Sequence, residues 1–538
     1  MTSYTAAQEE AAACLDQPLQ IIACAGSGKT QVISQRIARI LDQSGVEPRN
    51  VVAFTFTEKA AAELKGRILS ILEDERGEVT GLAEMYVGTM HGYALDLLQR
   101  LVPDTFKFSV LTDITARLLV DKYSKKSGLT TCPTTGNTQQ THLRRWVNSR
   151  LFLQAMSVLR EDTVDEDLVP DGVLESQASY LSLLYSHASF DFTEMINLAV
   201  QMLHNEPDDD ADAAAVQAHV RDDIRYVVVD EYQDLNPLQE QLVQGLVRYG
   251  ANLCVVGDDD QTIYQWRGSE VSNIITFADR YEGVHQVTLA DNFRSSKGVV
   301  DLGRSVAELI PDGERLAKSM VASGHQTWER GDLVAESLDN PDAEAVWICD
   351  RMEQLRGVPF TDTPASPVRG LSWSDFAVLY RSVANDAGPL VAQLKRRGIP
   401  YVVKGLNRLF EADEIKACVG VFRYMVSEID AGMLRTLWEA ADLLPEPARW
   451  PAAVGVLDQG RKFDQGARWG TYNIQRLYLD FLAALELREE TVSGKPERGE
   501  LVFYQLGKFS QAISDFEQIH FASNPADKYK TFAGWLTF

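Results

Sequence analysis

Short apolar runs, each closed by a turn and followed by a helical pattern, recur along this chain. Leu19–Ala23 (LQIIA) ends in a glycine-rich turn, and KTQVISQRIARIL after it carries apolar residues at helical spacing, giving strand, loop and helix. VVAFTF, RYVVVD, NLCVVGD, HQVTLA and DFAVLY read as further buried strands, each ahead of a helical pattern. Buried strands alternating with helices predict an α/β fold built on parallel sheets. Between about Leu101 and Leu198 the pattern turns mostly helical, with polar turns near SKKSGLTTCPTTGNTQQT, which predicts an inserted helical domain. The acidic tract from Glu206 to Ala215 (EPDDDADAAA) reads as a solvated linker leading back into the sheet. From about Val421 the chain is helical again, with a flexible stretch expected at TVSGKPERGE. No repeat at a fixed period is present.

Composition narrows the class. The chain has 538 residues, 45% hydrophobic and 24% charged, as expected of a globular protein of roughly three or four compact units. No run of ~20 apolar residues suggests a bilayer span, and MTSYTAAQEE has neither the basic start nor the apolar stretch of a secretory signal. Cys14, Cys24, Cys132, Cys254, Cys349 and Cys418 are scattered, which points to a reducing cytoplasm rather than a metal cage, and the eight histidines show no ligand spacing. A net charge of −25 argues against nucleic-acid binding through the whole surface, so any strand-binding groove must concentrate its positive groups.

Two motifs define a nucleotide site. ACAGSGKT, Ala23–Thr30, follows the phosphate-binding loop pattern with alanine in place of its first glycine. Small residues at Ala25, Gly26, Ser27 and Gly28 let backbone N–H groups curl around a β-phosphate at a helix N-terminus. Lys29 reaches the β- and γ-phosphates, and the Thr30 hydroxyl holds Mg²⁺. In YVVVDEYQD, an apolar strand delivers Asp230 and Glu231 at its carboxyl end, one to hold the metal and the other to polarise a water. These features predict an ATPase or a GTPase.

At least six ordered motifs from Gln8 to Lys416 together resemble the superfamily 1A helicases of the UvrD/Rep/PcrA type. YTAAQ matches the adenine-reading motif, with Gln8 as its glutamine. FTFTEKAAAELKGRI and GTMHGYA match the two strand-contacting segments, which carry Phe56, Thr57, Thr89 and His91. FDFTEMINLA matches the segment ahead of the acidic motif, and DEYQD is nearly the family's own form of that motif. GDDDQTIYQWRGS is similar to the third motif, LADNFRSS to the fourth, and GIPYVVKGLNRLFEADEIK to the stretch where the second motor domain gives way to its insertion.

The resemblance implies RecA-like motor domains of the P-loop NTPase class with helical insertions, using ATP and Mg²⁺. Residues 1–100 and 200–285 would form the first motor domain, 101–199 its insertion, 286–420 the N-terminal part of the second, and 421–538 the second insertion. By the same resemblance Gln261 senses the γ-phosphate, Tyr264 and Trp266 stack on bases, and Arg267 links the two sites. Stacking of this kind contributes about 1–3 kcal/mol per base. Asp258, Asp259 and Asp260 need not touch phosphate, since they can shape the turn and pair with neighbouring cations. Arg294 reaches the γ-phosphate and Phe293 stacks on adenine. Gln31 departs from the pattern, standing where relatives often carry an arginine near the base. No counterpart of the fifth and sixth motifs follows, so the second motor domain is expected to be incomplete, finished by a C-terminal remainder or a protein partner.

The cations of THLRRWVNSR, YSKKSG and LKRRGIP are solvated helix faces or salt-sensitive phosphate contacts. The resulting expectation is a cytoplasmic, ATP-dependent 3′→5′ translocase on single-stranded DNA. It would act at junctions with duplex, in repair, recombination or related processing, without a membrane. The alternatives are an ATP- and DNA-binding regulatory or motor subunit of a multi-subunit nuclease or defence complex, or the motor half of a recombination helicase–nuclease.

Overall fold

The computed structural model describes residues 4–77, 81–134, 141–162, 164–207, 210–263, 268–311, 313–403, 412–461, 473–494, 496–520, 523 and 525–536. The chain forms two compact units. One comprises residues 1–111, 125–142 and 151–334, and the other 112–124, 143–150 and 335–538.

The strands of the first unit are β1 (Leu19–Ala23), β2 (Val51–Phe54), β3 (Tyr86–Gly88), β4 (Ser109–Val110), β5 (Ser189–Phe190), β6 (Tyr226–Val229), β7 (Asn252–Gly257) and β8 (His285–Leu289). Six of them form one parallel sheet in the order β3-β2-β6-β7-β1-β8, while β4 pairs with β5 alone. Strand alternation sorts their side chains to two faces. Val51, Ala53, Val228, Cys254 and Val256 pack with the helices α1 (Ala6–Ala13), α2 (Lys29–Leu41) and α3 (Glu58–Arg76). Val52, Phe54, Val227, Val229, Leu253 and Val255 pack with α4 (Met90–Leu101) and the helices Phe192–His204, Ala211–Asp223 and Pro237–Val247. Each buried valine, leucine or phenylalanine among them contributes about 1.5–3 kcal/mol. Burial on both faces is why these strands read as unbroken apolar runs. It also leaves the carboxyl ends of β1, β6 and β7 side by side.

Three expectations are corrected. The acidic tract is not wholly a linker: a helix begins at Ala211, and the Asp210 side chain accepts from the backbone N–H groups of Asp212 and Ala213 as its N-cap. TVSGKPERGE leads straight into a 25-residue helix, Pro496–His520, with proline at its first position. DFAVLY forms no strand: Trp373–Asp375 is a 3-10 turn and Leu379 is 92% exposed. A run of this kind becomes a strand only with a ladder partner, and it has none among the described residues. Beyond β8, the described residues of the expected second motor domain hold only short pairs: β9 (Asp291–Asn292) with β10 (Val321–Ala322), and Pro359–Phe360 with Arg369–Gly370.

In the second unit the helices Asp413–Met425, Ala431–Ala440, Trp450–Gly460, Ile474–Ala484, Pro496–His520 and Pro525–Trp535 enclose an aromatic core of Phe422, Trp438, Tyr478, Phe481, Phe509 and Phe532. Trp438 is fully buried, and its indole N–H donates to the Ala417 carbonyl at 3.0 Å. Trp438→Ala is therefore expected to cost about 3–5 kcal/mol, read as a lower guanidinium midpoint for this unit by far-UV ellipticity.

Candidate functional site

The loop after β1 is shaped by backbone that only glycine adopts easily. Gly26 (φ +69°) and Gly28 (φ +81°) are left-handed, and Gly28 caps the start of α2, so Lys29 and Thr30 open that helix. The Ser27 hydroxyl is buried with no hydrogen-bond partner. An orphaned buried hydroxyl inside a curl of small residues at a helix N-terminus is an environment that suits a phosphate. Gln8 closes the rim: it forms a capping box with Thr5, and its amide donates to the Ser27 carbonyl at 2.9 Å. Gln31 donates to the Tyr4 hydroxyl at 2.8 Å, which sets it against the N-terminal segment that carries Gln8.

β6 ends beside this loop. Lys29 Nζ lies 2.8 Å from Glu231 Oε2, across 202 residues of sequence. Glu231 is left-handed (φ +51°) without being glycine, a strained geometry typical of functional positions. Burial, then the adjacent Glu231 charge, pushes the Asp230 carboxyl up to about 6. Burial also works against the Glu231 charge, but Lys29 and Gln233 hold its carboxyl below the ordinary glutamate value. No cluster of three metal-ligating side chains exists among the described residues. Mg²⁺ does not require one, since it typically takes one or two carboxylates together with substrate phosphates and water. Asp230, directly after β6, offers one such carboxylate, and Thr30 stands in the first turn of α2.

The segment after β8 folds back over the phosphate loop. Asn292 Nδ2 donates to the Ala25 carbonyl at 2.8 Å, and the Phe293 N–H donates to the Gly26 carbonyl at 3.0 Å. The Asn292 side-chain oxygen accepts from the backbone N–H groups of Arg294 and Ser295 at 2.9 and 2.7 Å. Phe293 and Arg294 are thereby presented, exposed, at the loop. Asn292 was not anticipated, although it stands directly before Phe293 in the fourth motif.

A relay leads to the third motif. Gln233 Nε2 donates to Glu231 Oε2 at 3.0 Å, while Gln233 Oε1 accepts from the Asp258 N–H at 3.0 Å. Gly257 makes this approach possible, because a Cβ there would stand 2.5 Å from Gln233 Oε1. Asp258 Oδ2 then accepts from the Gln261 amide at 2.5 Å. Gln233, inside DEYQD, also escaped the sequence reading. Tyr264, Trp266 and Arg267 lie outside the described residues.

The strand-contact candidates meet at the ends of β2 and β3. Thr57 caps α3, Thr89 caps α4, and the Thr89 hydroxyl donates to Glu58 at 2.8 Å, tying the two segments together. Phe56 is 39% exposed beside them. His91 packs edge-on against the exposed Phe192 ring at 5.5 Å, and burial pushes its imidazole down to about 4, leaving it neutral.

A family model described as the UvrD/REP helicase N-terminal domain matches residues 4–282, and one described as the UvrD-like helicase C-terminal domain matches residues 287–441. The ATP-dependent DNA helicase PcrA of Leuconostoc citreum is 29% identical over 420 residues, which is 76% of this chain and 50% of that protein. Its namesakes in Staphylococcus epidermidis and Staphylococcus aureus are each 28% identical, over 433 and 431 residues, covering 79% of this chain and 54% of theirs. The chain spans about half the length of the curated relatives it matches.

A Cβ added at Gly26 would meet Arg294 Cβ at 2.9 Å in a left-handed backbone. Gly26→Ala is expected to incur the left-handed penalty of about 1–2 kcal/mol and to displace the Asn292–Arg294 segment. The predicted result is weaker binding of a fluorescent ATP analogue in equilibrium titration, with the thermal midpoint of the second unit unchanged.

Proposed function

The chain belongs to the UvrD/REP helicase family, and from that membership we propose that the protein hydrolyses ATP to translocate 3′→5′ along single-stranded DNA and to unwind duplex at junctions. The observation that carries the reading is the meeting of Lys29 and Glu231 at 2.8 Å, where β1 and β6 end together. It pairs a phosphate-seeking ammonium with a carboxylate suited to orient a water.

In the proposed cycle Lys29 leaves Glu231 for the β- and γ-phosphates, and the freed Glu231 carboxylate orients the attacking water. Thr30 and Asp230 would hold Mg²⁺, which when bound neutralises charge developing on the transferred phosphoryl group. Arg294 adds its guanidinium at the γ-phosphate, and Gln8 with Phe293 receives the adenine. Gln261 senses the γ-phosphate and passes its presence along the same loop to Tyr264, Trp266 and Arg267. Phe56, Thr57, Thr89 and His91 supply the rest of the strand track. His91, being neutral, contacts the strand by packing rather than by charge. Single-stranded DNA and its junctions with duplex are the proposed partners, and the cytoplasm is the proposed location.

Lys29→Ala should abolish saturable ATP binding. Glu231→Gln should retain binding but lower turnover by about 10²-fold or more, as expected on losing a group that orients and deprotonates water. The assay is phosphate release beside displacement of a labelled strand from a 3′-tailed duplex. Turnover undiminished in both variants would sink the proposal.

A further inference from the structure

The three consecutive carboxylates of the third motif are paired. Lys318 Nζ contacts the carboxylates of both Asp258 and Asp259 and lies 3.4 Å from Asp260. Arg315 forks onto Asp260, Nε to Oδ1 at 2.6 Å and an amino nitrogen to Oδ2 at 3.1 Å. The Leu316 N–H donates to Asp259 Oδ2 at 2.7 Å. The Lys318 side chain is fully buried. Burial works against its charge, yet the carboxylates raise its affinity for the proton.

This cluster adjoins the phosphate loop. The parallel register sets Ile22 opposite Gly257, so Ala23 and Cys24 run on beside the start of the acidic run. The Cys24 thiol feels the cluster directly. Burial chiefly pushes it up to about 11, with Asp258 and Asp260 adding to the rise and Lys318 and Arg315 opposing it. Asp258 holds Gln261 with one oxygen and Lys318 with the other. With both cations in place, three negative charges beside the phosphate loop are reduced to a net charge of minus one. Without Lys318 the loop would repel a γ-phosphate, and a more negative Asp258 would grip the Gln261 amide.

We propose that Lys318 and Arg315 are positioning residues for nucleotide sensing. By neutralising Asp258–Asp260 they free the Gln261 amide to turn to a γ-phosphate, so that the loop distinguishes ATP from ADP. This rests on the reading of Ala23–Thr30 as the ATP site and of Gln261 as its sensor.

The test is equilibrium titration of the full chain with a fluorescent non-hydrolysable ATP analogue and with its ADP counterpart. Lys318→Met, Arg315→Gln and Gln261→Ala should each weaken the ATP analogue, by roughly tenfold for Lys318→Met, and leave ADP affinity within about twofold. Lys318→Met combined with Gln261→Ala should be no worse than the poorer single variant, as for residues acting through one another. Arg315→Lys, which keeps the charge, should restore the discrimination. Unchanged ADP affinity reports a folded site. Should Lys318→Met fail to fold, Arg315→Gln decides, because Asp260 keeps Lys318 nearby. Equal weakening of both nucleotides, or of neither, while Gln261→Ala selectively weakens the ATP analogue overturns the role of the two cations. Loss of selectivity in none of the variants, Gln261→Ala included, overturns the sensor reading beneath it.

Discussion

One ion pair organises this site. Lys29 and Glu231 follow strands that are not neighbours in the sheet, since β7 runs between β1 and β6, and they meet because parallel strands bring their carboxyl ends to one edge. The Lys29 side chain is 14% exposed and that of Glu231 33%, so each charge partly offsets the other's burial. A nucleotide that takes Lys29 leaves Glu231 held by Gln233, whose other amide atom already holds the backbone of Asp258. In the proposed cycle, a change in charge at the phosphate loop would reach Asp258 through these two contacts of Gln233.

The electrostatics of the rest of the unit follow the same logic. In a chain of net charge −25, several cations of this unit are paired individually with carboxylates. Lys318 and Arg315 are spent on the third motif, and Arg160 is buried between Asp191 and Glu194 at the head of the helix that carries Phe192. An uncompensated negative loop beside a triphosphate would oppose binding, so the acidic run requires its clamp.

Much of this was legible in the sequence because the physics is local. β2, β6 and β7 announce themselves as nearly continuous apolar runs because both of their faces are covered, and β1 does so with Gln20 as its one polar position. The phosphate loop shows itself through small residues ahead of Lys29. The acidic run at Asp258–Asp260 implied cations, yet Lys318 lies 60 positions from Asp258 in a stretch with no signal of its own. Asn292 and Gln233 act through amides, whose partners only the fold selects. DFAVLY misled because an apolar run specifies a strand only when another strand lies beside it, and the tract at Asp210 misled because aspartate serves both solvated linkers and helix caps.

The most direct measurement of the central claim, that fuel and track are joined through Glu231, Gln233 and Asp258, is ATP turnover by Gln233→Ala with and without single-stranded DNA. Coupling through Gln233 predicts that the stimulated-to-basal ratio of the variant falls toward one, below that of the unaltered protein. A variant stimulated by the strand in the same ratio as the parent would contradict it.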